Sequence, residues 1–288
     1  MTGVRMTATH DTATHEAVTP DTVTADTVTH DARQWTIAVL GLGEAGGEIA
    51  RDLVGGGADV RGFDPAVSPP NGVVVRVSDA DAVRDADLVL SVNSSHDAMP
   101  ALEASLAALR PGTIWADLNT AAPDLKASLA SMAAGRDVAV VDVALMSPVP
   151  GKGLRTPMLV SGERAADFAG VWTALGGSVT VQDGPAGAAI GRKLLRSVFY
   201  KGLAAAVVEA LAAAEAAGCV DWLRGNISGE LAGFDERTID RLVNGTHQHA
   251  RRRADEMAAA TEQLRSLGVE PRIAAAARDL LIELREAQ

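Results

Sequence analysis

The chain has 288 residues, 47% of them hydrophobic, a formal net charge of −11 and a single cysteine, Cys219. That is enough material for one or two folded domains. The acidic balance excludes the domain-scale basic surface that nucleic acid requires, and one thiol excludes an internal disulfide framework or a cysteine-built zinc site. No uninterrupted apolar run reaches the length of a membrane span, and the start lacks the charged-then-apolar order of a secretory signal, so the expectation is a cytoplasmic protein without membrane or nucleic-acid partners.

Residues 1–33 repeat Thr, Val, Asp and His, as in DTVTADTVTHD, without an amphipathic period. Such a segment has little to bury and reads as a disordered tail; weak metal binding by His10, His15 and His30 is the lesser alternative. The fold is expected to begin near Trp35. Apolar runs at 36–40, 58–63, 72–77, 86–92, 113–118 and 137–145 read as strands, with helix-like stretches at 45–54, 79–85, 97–109 and 122–134 between them. Alternation of Val-rich strands with helices predicts a mostly parallel sheet, which the weaker run at 156–162 extends. After Gly184 the pattern becomes helical. Residues 187–218 form one Ala-rich stretch without proline that ends at Gly218, and further helical patterns cover 235–267 and 271–286. The Ala-rich stripe suits close packing against another helix.

The sharpest local signal is VLGLGEAGGEIARDL, in which Gly41, Gly43 and Gly46 follow the G-x-G-x-x-G spacing between a strand and a helix. The first glycine permits the tight turn, the second a close backbone approach to a pyrophosphate, and the third close packing of helix on strand. The intervening Leu42, Glu44 and Ala45 belong to the same loop, whose helix presents free N–H groups and a positive dipole end to phosphates. Asp64 lies 18 residues after Gly46, at the end of the next strand, where a carboxylate can hydrogen-bond the adenosine ribose. Its charge would repel a 2′-phosphate, Pro65 and Ala66 stand where an NADP enzyme offers a cation, and strand alternation turns Arg61 to the opposite face. NAD is therefore favoured, with NADP possible. Asn93 and Ser94, after the 86–92 strand, complete the expected cofactor side.

Three further segments carry a family resemblance. ADLNTAAP (116–123) is similar to a D-x-S-T-x-x-P stretch, with Thr120 matching and Asn119 in place of Ser. DVALMSPVPGKG (142–153) stands where D-A-P-V-S-G-G is usual, with Met146 at the Ser position and Ser147-Pro148 replacing the glycine pair. GPAGAAIGRKLLRS (184–197) resembles G-x-x-G-x-x-x-x-x-K-x-x-x-N, with Gly184, Gly187 and Lys193 in place and Ser197 where Asn is usual. Together they resemble the β-hydroxyacid dehydrogenase family, which includes the 3-hydroxyisobutyrate, tartronate-semialdehyde and 6-phosphogluconate dehydrogenases, over about residues 36 to 286. The stretch RSVFYKG is similar to a subgroup of 6-phosphogluconate-dehydrogenase-like proteins with an uncharacterised C-terminal domain.

The resemblance implies an α/β Rossmann domain over 34–183 followed by an all-α domain over 184–288 that serves substrate binding and homodimer formation. It implies Thr120 beside the nicotinamide, and Asn119 and Ser147 at the substrate. Lys193 would be the general acid/base, since a lysine with a lowered pKa can exchange a proton while a hydride moves. Ser197 and Tyr200 share its helical face, and Lys201 lies one turn beyond Ser197, offering a second positive charge to an anionic substrate. In THQHARRRADEM (246–257), Arg252 and its neighbours either reach the pocket from the helical side or form an exposed basic face. No metal site is implied, because His247 and His249 have no third ligand by spacing.

Three readings remain open at this point. They are a hydroxy-acid dehydrogenase, an imine reductase suggested by the 142–153 loop, and a non-catalytic dinucleotide-binding protein. Imine reductases usually carry Asp or Tyr at the place of Lys193, which favours the first.

Overall fold

The structure, a computed structural model, describes residues 34–287; the segment read as a disordered tail lies outside the described residues. In chain order the first elements are β1 (Thr36–Leu40), α1 (Glu44–Gly55), β2 (Asp59–Phe63), β3 (Val74–Val75), α2 (Asp79–Val83), β4 (Leu88–Ser91), α3 (Ala98–Ser105), β5 (Ile114–Asp117), α4 (Pro123–Ala134) and β6 (Ala139–Leu145). A short 3₁₀ turn (Gly153–Arg155), β7 (Met158–Ser161), α5 (Ala165–Ala174) and β8 (Val179–Val181) follow.

The strands form one eight-stranded sheet in the order β3-β2-β1-β4-β5-β6-β7-β8, parallel throughout except for the antiparallel β6–β7 pair. Its first six strands have the 3-2-1-4-5-6 order of a dinucleotide fold. Helices on both faces explain why the central strands read as unbroken apolar runs: every residue of β4 and β5 is buried. One core layer packs Ile37, Val39, Leu90 and Trp172 under α1 and α5; the other packs Leu40, Val89, Trp115 and Leu129 under α2, α3 and α4. Phe168 and Trp172 stack with ring centroids 5.4 Å apart, and truncating either ring to Ala should cost about 3–5 kcal/mol.

The helical region comprises α6 (Ala188–Ala216), α7 (Val220–Ala232), α8 (Thr238–Gln248), α9 (Ala250–Ser266) and α10 (Arg272–Glu286). Gly218, at φ +69°, ends the α6 arm as a left-handed stop. The α10 N-terminus docks on α6 through Glu209, whose two carboxylate oxygens accept from Ile273 N and Ala274 N at 2.8 Å. Three features differ from the sequence expectation. The stretch 235–267 is not continuous but breaks at His249 (φ −119°, ψ 22°). The helix at Val220–Ala232 has no buried residue and so no stripe to betray it. The pair α5–β8 lies in a short, Gly-interrupted segment whose period is hard to read.

By length and composition alone α6 could cross a membrane, where no uninterrupted apolar run had been expected. Its first turns are instead seated on β6, β7 and α4.

Candidate active site

The loops after β1, β4, β5 and β6 all leave the carboxyl edge of the parallel strands, where open α/β sheets bind ligands. At β1 the three glycines have separable duties. Gly41 adopts φ +90° and lies against β4, since a Cβ there would stand 2.5 Å from the Val92 carbonyl oxygen. A Cβ on Gly46 would collide with the Gly41 carbonyl, whereas one on Gly43 would meet nothing within 4 Å. Gly43 is the N-cap of α1 and supplies no side-chain hydrogen bond. The first-turn donors of α1 therefore face an open approach, the shape a pyrophosphate fits.

Asp64 braces this loop. Its Oδ2 accepts from Leu42 N at 2.8 Å, and its Oδ1 accepts from Ala66 N and Val67 N at 2.8 and 2.9 Å. Burial works against its ionisation, but the three backbone donors prevail and hold its pKa below the ordinary carboxylate value. Arg61 faces away, donating to Arg84 O and pairing with Asp59. Beside Gly41, Asn93 carries a buried Oδ1 without a hydrogen-bond donor, an acceptor available to a ligand hydroxyl.

Across the sheet runs a row of fully buried polar side chains in register: Ser91, Asp117, Asp142 and Ser161, on β4, β5, β6 and β7. Lys126 of α4, also fully buried, lies on the carboxylates, with Nζ 2.6 Å from Asp117 Oδ2 and 3.2 Å from Asp142 Oδ1. It also donates to Asp117 O at 2.8 Å. The other Asp142 oxygen accepts from Gly187 N at 3.1 Å and Ile190 N at 2.8 Å, and Ser161 Oγ accepts from Ala189 N at 2.9 Å. Gly187 is at φ +107°, a position closed to most side chains. The orphan donors that begin α6 are thus satisfied from the sheet below.

Lys193 projects from the next turn. Its Nζ donates to Thr120 Oγ1 at 2.9 Å. Burial is the largest influence lowering its pKa, the positive charges of Lys126 and Lys201 add to it, and Asp142 opposes them. Ser197 is half-buried one turn on; Tyr200 and Lys201 are exposed. The Arg196 guanidinium covers the Tyr200 ring at 4.1 Å and donates to Met146 O at 3.5 Å. In the loop after β6, Lys152 Nζ donates to Ser147 Oγ at 2.9 Å.

The expected residues separate into those that border this edge and those whose side chains are engaged by other groups of the protein. Gly41, Leu42, Gly43, Glu44, Ala45, Gly46, Asp64 and Asn93 border the β1–β4 side, and Thr120, Ser147, Lys193, Ser197 and Lys201 the β5–β6 side. Asn119, expected at the substrate, is buried instead: its amide donates to Ser91 Oγ and Asp117 Oδ1 and braces the polar row. Ser94, expected at the cofactor, bonds Asp97 and accepts from the His96 and Asp97 N–H groups before α3. Arg252 pairs with Glu256 on the exposed face of α9. Missed altogether were Lys126, Lys152 and Arg196. Lys126 had a visible signal, since it shares a three-then-four spacing with Leu129 and Ala133 on the buried side of α4.

Residues 36–170 match the family model for the NAD binding domain of 6-phosphogluconate dehydrogenase, and residues 214–284 match a domain of unknown function, DUF1932. The N-terminal half of the chain is thus similar to the NAD-binding part of the hydroxyacid dehydrogenases. The probable 3-hydroxyisobutyrate dehydrogenase of Mycobacterium tuberculosis is 31% identical over 137 residues, 45% of this chain and 47% of the relative. The chain thus matches about half the length of its curated relatives. A conserved hypothetical protein from Sinorhizobium meliloti 1021 is 30% identical, with 87% of this chain and 88% of that one covered and a TM-score of 0.60. The Streptomyces aurantiacus imine reductase superposes with a TM-score of 0.75 at 21% identity, covering 88% and 95% of the two chains, a likeness of fold.

Proposed function

We propose that this protein is an NAD(P)-dependent oxidoreductase that interconverts a small hydroxy acid and its carbonyl form, with Lys193 as the proton donor and acceptor. The observation that carries the reading is the Lys193 amine, half-buried, with a lowered pKa and held by Thr120 on the same sheet edge as the glycine loop. The residues fit a dinucleotide: the bare start of α1 and Gly43 would take the pyrophosphate, Asp64 the adenosine ribose, and Asn93 Oδ1 a ribose hydroxyl nearer the reactive ring. The ionised Asp64, with no cation at 65–67, supports NAD over NADP.

A bound nicotinamide supplies the hydride acceptor or donor. Lys193, in its neutral form, takes the hydroxyl proton during oxidation, and as the ammonium returns one to the carbonyl oxygen during reduction. The bond to Thr120 Oγ1 fixes the direction of the amine, and Ser197 offers a hydroxyl one turn away. Lys201, Arg196 and Lys152 give an acidic chain a local positive field suited to a substrate carboxylate.

Lys193→Ala should lower kcat by roughly 10²–10⁴-fold on the preferred hydroxy acid while NADH binding is unchanged. Retained kcat would overturn the reading. Imine reduction is the competing reaction, suggested by the 142–153 loop and by the likeness of fold to an imine reductase, and a panel of hydroxy acids and cyclic imines with NADH and NADPH separates the two.

We also infer a cytoplasmic homodimer through the helical region. The free thiol of Cys219 is exposed, which suits a reducing compartment. Leu195, Val198 and Val208 on α6, Trp222 on α7 and Ile239 on α8 are each at least 68% exposed, large apolar side chains that pairing of two helical regions would cover. Sedimentation of the purified protein should give twice the 29.6 kDa chain mass, and a monomer at micromolar concentration would reject the dimer.

A further inference from the structure

We propose that Lys126 is a positioning residue for Lys193: wholly buried, it joins Asp117 and Asp142 in one cluster, and the same Asp142 carboxylate fixes the first turn of the helix from which Lys193 projects. Only four of the chain's 26 lysines and arginines are lysine, namely Lys126, Lys152, Lys193 and Lys201. Lys126 and Lys201 both act on Lys193 electrostatically, and Lys152 holds Ser147 on the same sheet edge.

A leucine or methionine at 126 would fill the stripe that Leu129 and Ala133 continue, and a buried ion pair stabilises little beyond such an apolar substitute. The ammonium is therefore better explained by what it orders. Two carboxylates and one ammonium leave one negative charge, which the N–H groups at the start of α6 answer.

The charged groups acting on the Lys193 amine are Lys126 from α4, Asp142 from β6 and Lys201 from its own helix. Asp117, on β5, is paired with the Lys126 ammonium. With Lys126 in place the carboxylates are engaged and its charge helps to lower the Lys193 pKa; without it, the opposing pull of Asp142 would raise that pKa again. The purpose of this device rests on the acid/base reading of Lys193, but its physical content does not.

The test is a pH titration of the full-length chain after reductive ¹³C-methylation of its lysines, followed by NMR, with the Lys193 signal assigned through Lys193→Arg. In the unsubstituted protein the Lys193 midpoint should fall below the ordinary lysine value. In a Lys126→Met/Asp117→Asn variant, which removes one charge of each sign and so avoids stranding two carboxylates if Lys126→Met alone does not fold, the midpoint should rise by about one pH unit. Lys126→Arg should keep it near the original value.

A folded double variant with an unmoved Lys193 midpoint would overturn the proposal, as would an ordinary lysine midpoint for Lys193 without any substitution. The titration needs no substrate. An unmoved midpoint defeats this positioning role and leaves the proposed reaction standing, whereas full turnover by Lys193→Ala defeats the reaction and leaves the positioning intact.

Discussion

Three helices in this protein start in contrasting ways. The start of α10 is met by Glu209, and the start of α6 by Asp142 and Ser161, so in both the free N–H groups and positive dipole end are answered by the chain itself. The start of α1 is left to glycine, with no side chain to cap it and open space above Gly43. A helix N-terminus always demands acceptors and favours negative charge. Where the sequence supplies its own carboxylate, the end is a joint between parts of the fold. Where it withholds one beside a glycine turn, the end is kept for a ligand's anion.

The contrast is broken most severely at Asp142. Asp142→Ala should strip α6 of its anchor and leave Lys126 with half its partners, a loss of about 3–5 kcal/mol measurable by urea unfolding; a loss under about 1 kcal/mol would show that α6 is held by other means. The open end is tested by two glycines that make different predictions. Gly46→Ala forces a Cβ into the Gly41 carbonyl and should cost about 1–3 kcal/mol of stability together with NADH binding. Gly43→Ala should change stability by under about 1 kcal/mol and yet weaken NADH roughly tenfold, because only the ligand is crowded. Unchanged NADH affinity in Gly43→Ala would show that the phosphates lie elsewhere.

The smallest effect is expected at Asp64, which braces the open loop without closing it. Its folded pKa lies below the unfolded value, so its stabilisation is complete above the ordinary carboxylate pKa and is lost as pH falls through the folded one. Asp64→Asn should flatten the acid limb of a Tm-against-pH curve, and an identical limb would refute the role.

The sheet was legible because strands covered on both faces must be apolar at successive positions, as LVLS in β4 shows. The glycine loop was legible because its spacing answers a steric requirement visible in one dimension. Lys193 and Thr120 followed from a resemblance, and they meet although 73 residues separate them in the chain. The polar row was hidden for a physical reason. Asp117 and Asp142 stand in motifs that were read for their neighbours, and their pairing exists only through strand register. Lys126 was passed over since a lysine on a helix ordinarily belongs to water, and its place on an apolar stripe was the overlooked clue. Asn119 was expected at the substrate from the motif it shares with Thr120, yet its side chain is buried against Ser91.

The single thiol at Cys219 sits just past the end of α6, 26 residues from Lys193. At about 1.5 Å of rise per residue the helix from Lys193 to Ala216 spans roughly 35 Å, so a fluorophore or spin label attached just past its end would be remote from any chemistry at the amine. The protein carries, in effect, a natural handle for asking whether its helical arm moves when a nucleotide binds at the other end.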